Sequence, residues 1–221
     1  MHIIKKDNEL LHRALLNINA IIYSDHEDLI VHLSDGEYPA KPHQKFETEI
    51  DHSIEYFRKS GLLTGDRIRD KTYHSFGSSH FAAKRDESLF DFWVFNGRFF
   101  GIEAKQTAER SLPYKNIKDH QVKNLSLIND LGGIGIFLIN FHSTKRTAKG
   151  NKINLTYALN IKDYISYKDS NDRSSISLEY IMEKGLNIDM IQVGFTKPRK
   201  ETSEPKPIKG WNIISLKDWV C

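Results

Sequence analysis

The sequence predicts an α/β domain with a central, partly mixed β-sheet flanked by helices. Three observations lead there: an amphipathic stretch over residues 44–60, a hairpin signal at Asn96-Gly97, and a helical pattern followed by a buried strand across residues 119–141. In the first, Phe46, Ile50, Ile54 and Phe57 recur at helical spacing and line one face, with Gly61 as the stop. Residues 62–87 are polar, rich in glycine, serine and basic side chains, and show no period. Residues 89–95 are aromatic and branched, Asn96-Gly97 is a tight-turn dipeptide, and residues 98–105 follow as a second strand. Val122, Leu125 and Ile128 mark one side of a helix over 119–130, closed by Gly132-Gly133, and residues 134–141 form a buried strand. Residues 157–161 read as a further strand and 178–184 as a short helix. Residues 195–209, with Pro198, Pro205 and Pro207 among basic side chains, read as a loop or arm, and residues 211–219 as a final strand and turn.

Composition bounds the rest. The chain has 221 residues, of which 39% are hydrophobic, enough for a core, so wholesale disorder is excluded. Lys and Arg number 32 against 29 Asp and Glu, a net +3 that is too weak by itself to prove a polyanionic partner. Cys221 is the single cysteine, which excludes a disulfide scaffold and a cysteine zinc site. No apolar run is long enough for a membrane span and no signal peptide is visible, so the expectation is a cytoplasmic protein with no membrane partner. Three segments follow: residues 1–44, an N-terminal appendage with Leu10, Leu11, Leu15, Leu16 and Ile18 at helical spacing; a core over 45–190; and a C-terminal arm and final strand over 191–221.

The sharpest local feature is Asp91 followed by Glu103-Ala104-Lys105. Alternate residues of a strand share a face, so Glu103 and Lys105 lie together, and the hairpin brings Asp91 beside Glu103. Two adjacent carboxylates repel and call for a cation, and hard oxygen ligands favour Mg²⁺ or Mn²⁺. Lys105 beside that ion would position a water and offset charge growing on a phosphate, which is the chemistry of phosphodiester hydrolysis. The same Glu-x-Lys spacing recurs at Glu204-Pro205-Lys206, where prolines exclude a central strand, so spacing alone leaves a salt-bridged, solvated strand face as the alternative. Position favours the functional reading: Glu103 and Lys105 sit among Phe99, Phe100, Ile102 and Ala104, where charge is costly unless paired or used.

These residues resemble the PD-(D/E)xK nuclease superfamily and, more narrowly, RecU-type Holliday junction resolvases. The likeness runs in order through Phe46-Glu47-Thr48-Glu49-Ile50, Ser88-Leu89-Phe90-Asp91-Phe92, Gly97-Arg98, Ile102-Glu103-Ala104-Lys105-Gln106-Thr107, the Leu112-Pro113-Tyr114-Lys115-Asn116 to His120-Gln121 segment, and Gly132-Gly133-Ile134. It implies a restriction-endonuclease-like core with Asp91, Glu103 and Gln121 at a Mg²⁺ site, Lys105 as catalytic lysine and Glu47 on the helix beside it. It also implies a Mg²⁺-dependent endonuclease (Mn²⁺ substituting) that resolves four-way DNA junctions in recombination and repair, acting as a homodimer on branched DNA. Leu89 departs from the family, which places a threonine there, and residues 62–87 are a shortened form of its basic stalk. A duplex-cutting nuclease of the same superfamily and a non-cleaving DNA-structure-binding protein are the alternatives.

Candidate DNA contacts are Arg67, Arg69 and Lys71 with Arg58 and Lys59, then Lys115 and His120, then Lys145 and Arg146 with Lys149 and Lys152. Lys197, Arg199, Lys200, Lys206 and Lys209 form a further cluster. The plain alternatives are solubilising lysines, and for His120 a helix-start histidine bonded to backbone. Glu49 competes with Glu47 for the site role. Aromatics in the 73–81 loop would stack on unpaired bases, with an ordinary surface loop as the favoured alternative.

Overall fold

The computed structural model describes residues 42–68, 71–73, 84–86, 88–146, 152–196 and 204–219. The chain divides into one unit of residues 1–36 and 194–207 and another of 37–193 and 208–221; the second carries the central sheet. The expected N-terminal helix, Arg69, Lys149, the 74–83 loop residues and Lys197, Arg199 and Lys200 lie outside the described residues.

Helix α1 (Pro42–Lys59) buries the four apolar residues that its period marks, each no more than 4% exposed. It ends in a Schellman pattern: Leu62 N–H donates to Phe57 O at 3.0 Å and Gly61 N–H to Arg58 O at 3.1 Å, with Gly61 at φ 68°.

The central sheet has six strands in the order β1-β4-β5-β7-β8-β10, formed by Thr64–Arg67, Phe92–Phe95, Phe99–Thr107, Ile134–Arg146, Lys152–Asn160 and Leu186–Asn187. Only β5 and β7 pair in parallel, so the sheet is mixed. Helix α2 (Asp119–Asp130) makes the crossover between them, as a parallel connection requires. Strands β2 (Lys71–Tyr73) and β3 (Lys84–Asp86) form a small hairpin, and β6 (Ser111–Pro113) pairs with β9 (Ser175–Ser177). Core residues fall into two clusters. One holds α1 with Phe92, Phe100 and Ile102; the other holds Leu125 of α2 with Phe137, Ile139 and Tyr164.

Two glycines set the distance between α2 and the sheet. Gly101 and Gly135 are register partners on β5 and β7. A Cβ on Gly135 would stand 2.2 Å from the Leu125 carbonyl oxygen, and one on Gly101 would stand 2.1 Å from Ile128 Cδ1. Their bare surface lets the helix seat, and the helix carries Gln121 toward β5.

Several expectations need correction. Residues 62–87 are not simply a loop: β1 forms a sheet edge, because Thr64–Arg67 pairs along Phe92–Phe95 although its own residues have little strand preference. The 89–95 strand starts at Phe92, and the hairpin closes through residues 96–98 with Gly97 at φ 100°. The 157–161 strand begins five residues earlier and stops at Asn160, whose side chain accepts from Lys162 N–H at 2.9 Å and starts helix α3 (Ile161–Asp169). Residues 178–184 form helix α4 as expected (Leu178–Lys184). The 195–209 stretch is bounded by strands β11 (Met190–Phe195) and β12 (Pro207–Trp211), which form a two-stranded sheet. After Trp211 the chain forms a 3₁₀ helix (Ile213–Asp218) where a strand and turn were expected.

Candidate active site

Asp91 stands just before β4, with its backbone held on both sides. Its N–H donates to Ile102 O at 3.1 Å and its carbonyl accepts from Ile68 N–H at 2.7 Å. Its Oδ2 accepts from Ala104 N–H at 2.8 Å, which turns the carboxyl toward Glu103. Glu103 faces Phe137 across the parallel pair and is 3% exposed. Lys105 follows on the same face, opposite Ile139.

A closed set of side-chain bonds joins these residues to α2. Lys105 Nζ donates to Glu103 Oε1 at 3.0 Å and to Gln121 Oε1 at 2.9 Å. Gln121 Nε2 donates to Glu103 Oε1. Gln121 Oε1 also accepts from Lys118 N–H at 3.0 Å, satisfying one of the open donors at the helix start. Gln121 therefore caps α2 and braces Lys105 at once.

The electrostatics follow from burial. Desolvation first, and then repulsion from Asp91, push the Glu103 carboxyl up to about 7, with Lys105 opposing. Desolvation likewise raises Asp91, against the Ala104 N–H and the Lys105 and Arg67 charges. The result is two adjacent carboxyls, one buried and one half-buried, that resist being ionised together. A divalent cation relieves that repulsion, and the carboxylate oxygens suit Mg²⁺ or Mn²⁺. Among the described residues no group of three His, Cys, Asp or Glu gathers, so a cation held by Asp91 and Glu103 would complete its shell with water and phosphate oxygens, as Mg²⁺ commonly does. Gln121 turns its nitrogen, not its oxygen, toward Glu103; to ligate an ion its oxygen would have to leave Lys105.

The other expected residues fall around this centre. Glu47 pairs with Arg67 of β1, and Asp51 lies 3.5 Å from the same guanidinium. Arg67 also stacks over Phe92 at 5.6 Å, and its charge acts on Asp91. Arg67, a candidate DNA contact, also links α1 to the carboxyl pair. Glu49 serves the fold: its Oε2 accepts from Trp211 Nε1 at 3.2 Å, while Trp211 N–H donates to Ser53 Oγ at 2.6 Å. Leu89 stands where the resembled family has a threonine, and its carbonyl oxygen accepts from Asn124 Nδ2 of α2 at 3.0 Å. Lys115 is exposed in the 3₁₀ turn Tyr114–Asn116, and His120 is half-buried in the first turn of α2. Lys71, Lys145 and Arg146 occupy strand positions in β2 and β7, and their side chains lie outside the description. Sequence reasoning missed the Arg67 link, since it sits in a segment without periodicity, and the opposed glycines, which only the strand register reveals.

A mixed sheet that carries two carboxyls and a lysine on adjoining strands, braced by a helix-start glutamine, defines a class of α/β domain built to hold charge inside its core. Within that class the chain belongs to the Recombination protein U (RecU) family, whose profile matches residues 43–196. It is 33% identical over 97 residues to the Holliday junction resolvase RecU of Streptococcus thermophilus strain LMD-9, covering 43% of this chain and 44% of that protein. It is 29% identical over 155 residues to the Holliday junction resolvase RecU of Lactococcus lactis, covering 65% and 68%. The match thus spans under half the length of the first relative. The structure of Archaeoglobus fulgidus Hjc, a Holliday junction resolvase, aligns with a TM-score of 0.37 and 16% identity over 65% of this chain and 94% of that one. Among the described residues no helix is long and apolar enough to cross a membrane.

Proposed function

We propose that this protein is a metal-dependent endonuclease that cuts four-way DNA junctions by hydrolysing phosphodiester bonds. The observation that carries the reading is the Asp91–Glu103 pair, in which the buried Glu103 carboxyl is raised by burial and by Asp91 and accepts from Lys105 Nζ at 3.0 Å. The names of its relatives supply the substrate class.

Asp91 and Glu103 would hold the ion, Mg²⁺ or Mn²⁺. When bound, it supplies a polarised phosphoryl oxygen and a more acidic water. Lys105 stabilises the negative charge that grows on the phosphate, and does so in a site where burial strengthens the interaction. Gln121 holds the Lys105 ammonium in place through its oxygen. Arg67 tempers the negative charge at Asp91, and Glu47 holds Arg67. Lys115 and His120, beside the start of α2, track the DNA backbone. A four-way junction has near two-fold symmetry, so two incisions call for two sites in fixed relation; the protein acts as a homodimer.

A gel assay with junction, fork and linear duplex, in Mg²⁺ and in chelator, tests this. Junction cleavage that needs the metal and is lost in Asp91→Asn is expected. Cutting of linear duplex at an equal rate would move the reading to a restriction-type enzyme, and binding without cutting would leave a structure-specific binding protein. Light scattering that shows a monomer at micromolar concentration would count against paired incision.

A further inference from the structure

Strand β5 does not stop at Lys105. Two residues on, Thr107 lies on the same face and opens a cavity of about 670 Å³. At ~3.3 Å per residue, Thr107 is about 7 Å from Lys105 and about 13 Å from Glu103 along the strand. Stacked nucleotides rise ~3.4 Å each, so the cavity lies about four nucleotides from a phosphate held at Glu103 and about two from one held at Lys105.

The lining favours a base over a phosphate. A phosphate site gathers cations. Here a single ammonium, that of Lys115, shares the lining with the Glu109 carboxylate, and Ser111, Asn116 and Ser175 add hydroxyl and amide groups. Such mixed donors and acceptors suit a base edge, and a carboxylate that repels phosphate accepts from the cytosine amino group. Tyr114 adds an aromatic ring on which a base can stack, with the Lys168 ammonium over that ring at 5.8 Å from its centroid. Its ring is steadied edge-on by Tyr164 at 5.9 Å, and its hydroxyl is shut from solvent with no hydrogen-bond partner among the described residues. The volume falls within the range of ordinary small-ligand sites. The wall also connects directly to the centre: Tyr114–Asn116 runs within two residues of Lys118, whose N–H is bonded by Gln121.

We propose that this cavity receives an unstacked nucleobase of the cut strand, near the scissile phosphate, and that it sets the sequence preference of cleavage. This rests on the nuclease reading above.

The test uses the full chain. Junctions with a single 5-iodouracil at each position within about four nucleotides of the branch point are bound to Asp91→Asn in chelator, irradiated, and the adducts mapped by mass spectrometry. One position should crosslink to Tyr114. In parallel, the wild type is given junctions randomised over the same window. It should prefer one base at that position, and Asn116→Ala and Glu109→Gln, checked for wild-type thermal unfolding, should flatten the preference about tenfold or more. A wild type that cuts without preference there, or variants that keep its profile, would overturn the proposal. If the wild type cuts no DNA, the nuclease reading falls instead. The crosslinking arm still judges the cavity, because bound DNA that never marks Tyr114 rules the base pocket out.

Discussion

Glu103 should cost the metal-free protein stability at neutral pH, and its isosteric replacement should recover it. The carboxyl is 3% exposed, and burial beside Asp91 raises it from an ordinary 4.5 to about 7. Between those values the folded protein holds a proton that the unfolded chain has released. Stability from this group is therefore full below about pH 4.5 and falls as pH rises, with the loss complete above about pH 7. At ~1.4 kcal/mol per tenfold, the span corresponds to about 3 kcal/mol. Glu103→Gln keeps an oxygen to accept from Lys105 and Gln121 and removes the titration. In chelator at pH 8 the variant should exceed wild type by up to about 3 kcal/mol, or up to about 10 °C in Tm for a domain of this size. At pH 5 the gain should nearly vanish. Circular dichroism melts at several pH values measure it directly. A difference that is the same at pH 5 and pH 8 would refute the account, because only a raised carboxyl makes the gain depend on pH in that window.

Other outcomes follow from the same geometry. Lys105→Ala should lower cleavage by about a hundredfold or more, with Mg²⁺ affinity by calorimetry unchanged, if its charge acts on the transition state. Gly135→Ala should destabilise the fold by about 1–3 kcal/mol in urea unfolding, because its Cβ would meet the Leu125 carbonyl oxygen at 2.2 Å and push α2 off the sheet. Ser53→Ala should cost about 1–3 kcal/mol by the same measurement, since it leaves the buried Trp211 N–H without its acceptor.

How much of this was legible in the sequence depended on whether the signal was local. The α1 face, the α4 bounds and the buried β7 strand were legible because apolar period and turn residues are local properties. The pairing of Asp91 with Glu103 was legible because a hairpin and a two-residue strand period bring them together. Strand β1 was not: Thr-Gly-Asp-Arg has no apolar alternation and is a strand only because Phe92–Phe95 offers it an edge. The Asn160 cap hid in a run that also fits a strand, so helix α3 was missed. Glu47 and Glu49 are alike in sequence and part ways only in three dimensions, one toward Arg67 and the other toward Trp211.

The cost at Glu103 and the brace around Lys105 are two sides of one arrangement. A carboxyl in a central strand, opposite Phe137, would be replaced by an apolar residue if stability alone decided. Instead the surroundings make it reluctant to ionise: Lys105 sits at 3.0 Å, but burial and Asp91 still outweigh that ammonium and keep the carboxyl high. The fold supports this imbalance from outside the pair. The opposed glycines bring α2 close, α2 brings Gln121, and Gln121 holds Lys105 by an oxygen that its own backbone cap also fixes. On the other side, Ile68, just after β1, holds the Asp91 carbonyl, and β1 supplies Arg67. The two carboxyls are thus fixed from both sides, and without a cation it is a proton on Glu103 that relieves their repulsion. On the nuclease reading proposed above, a site fixed this way would need little rearrangement to receive a cation and a phosphate, and preorganisation of that kind is where electrostatic catalysis gets most of its effect.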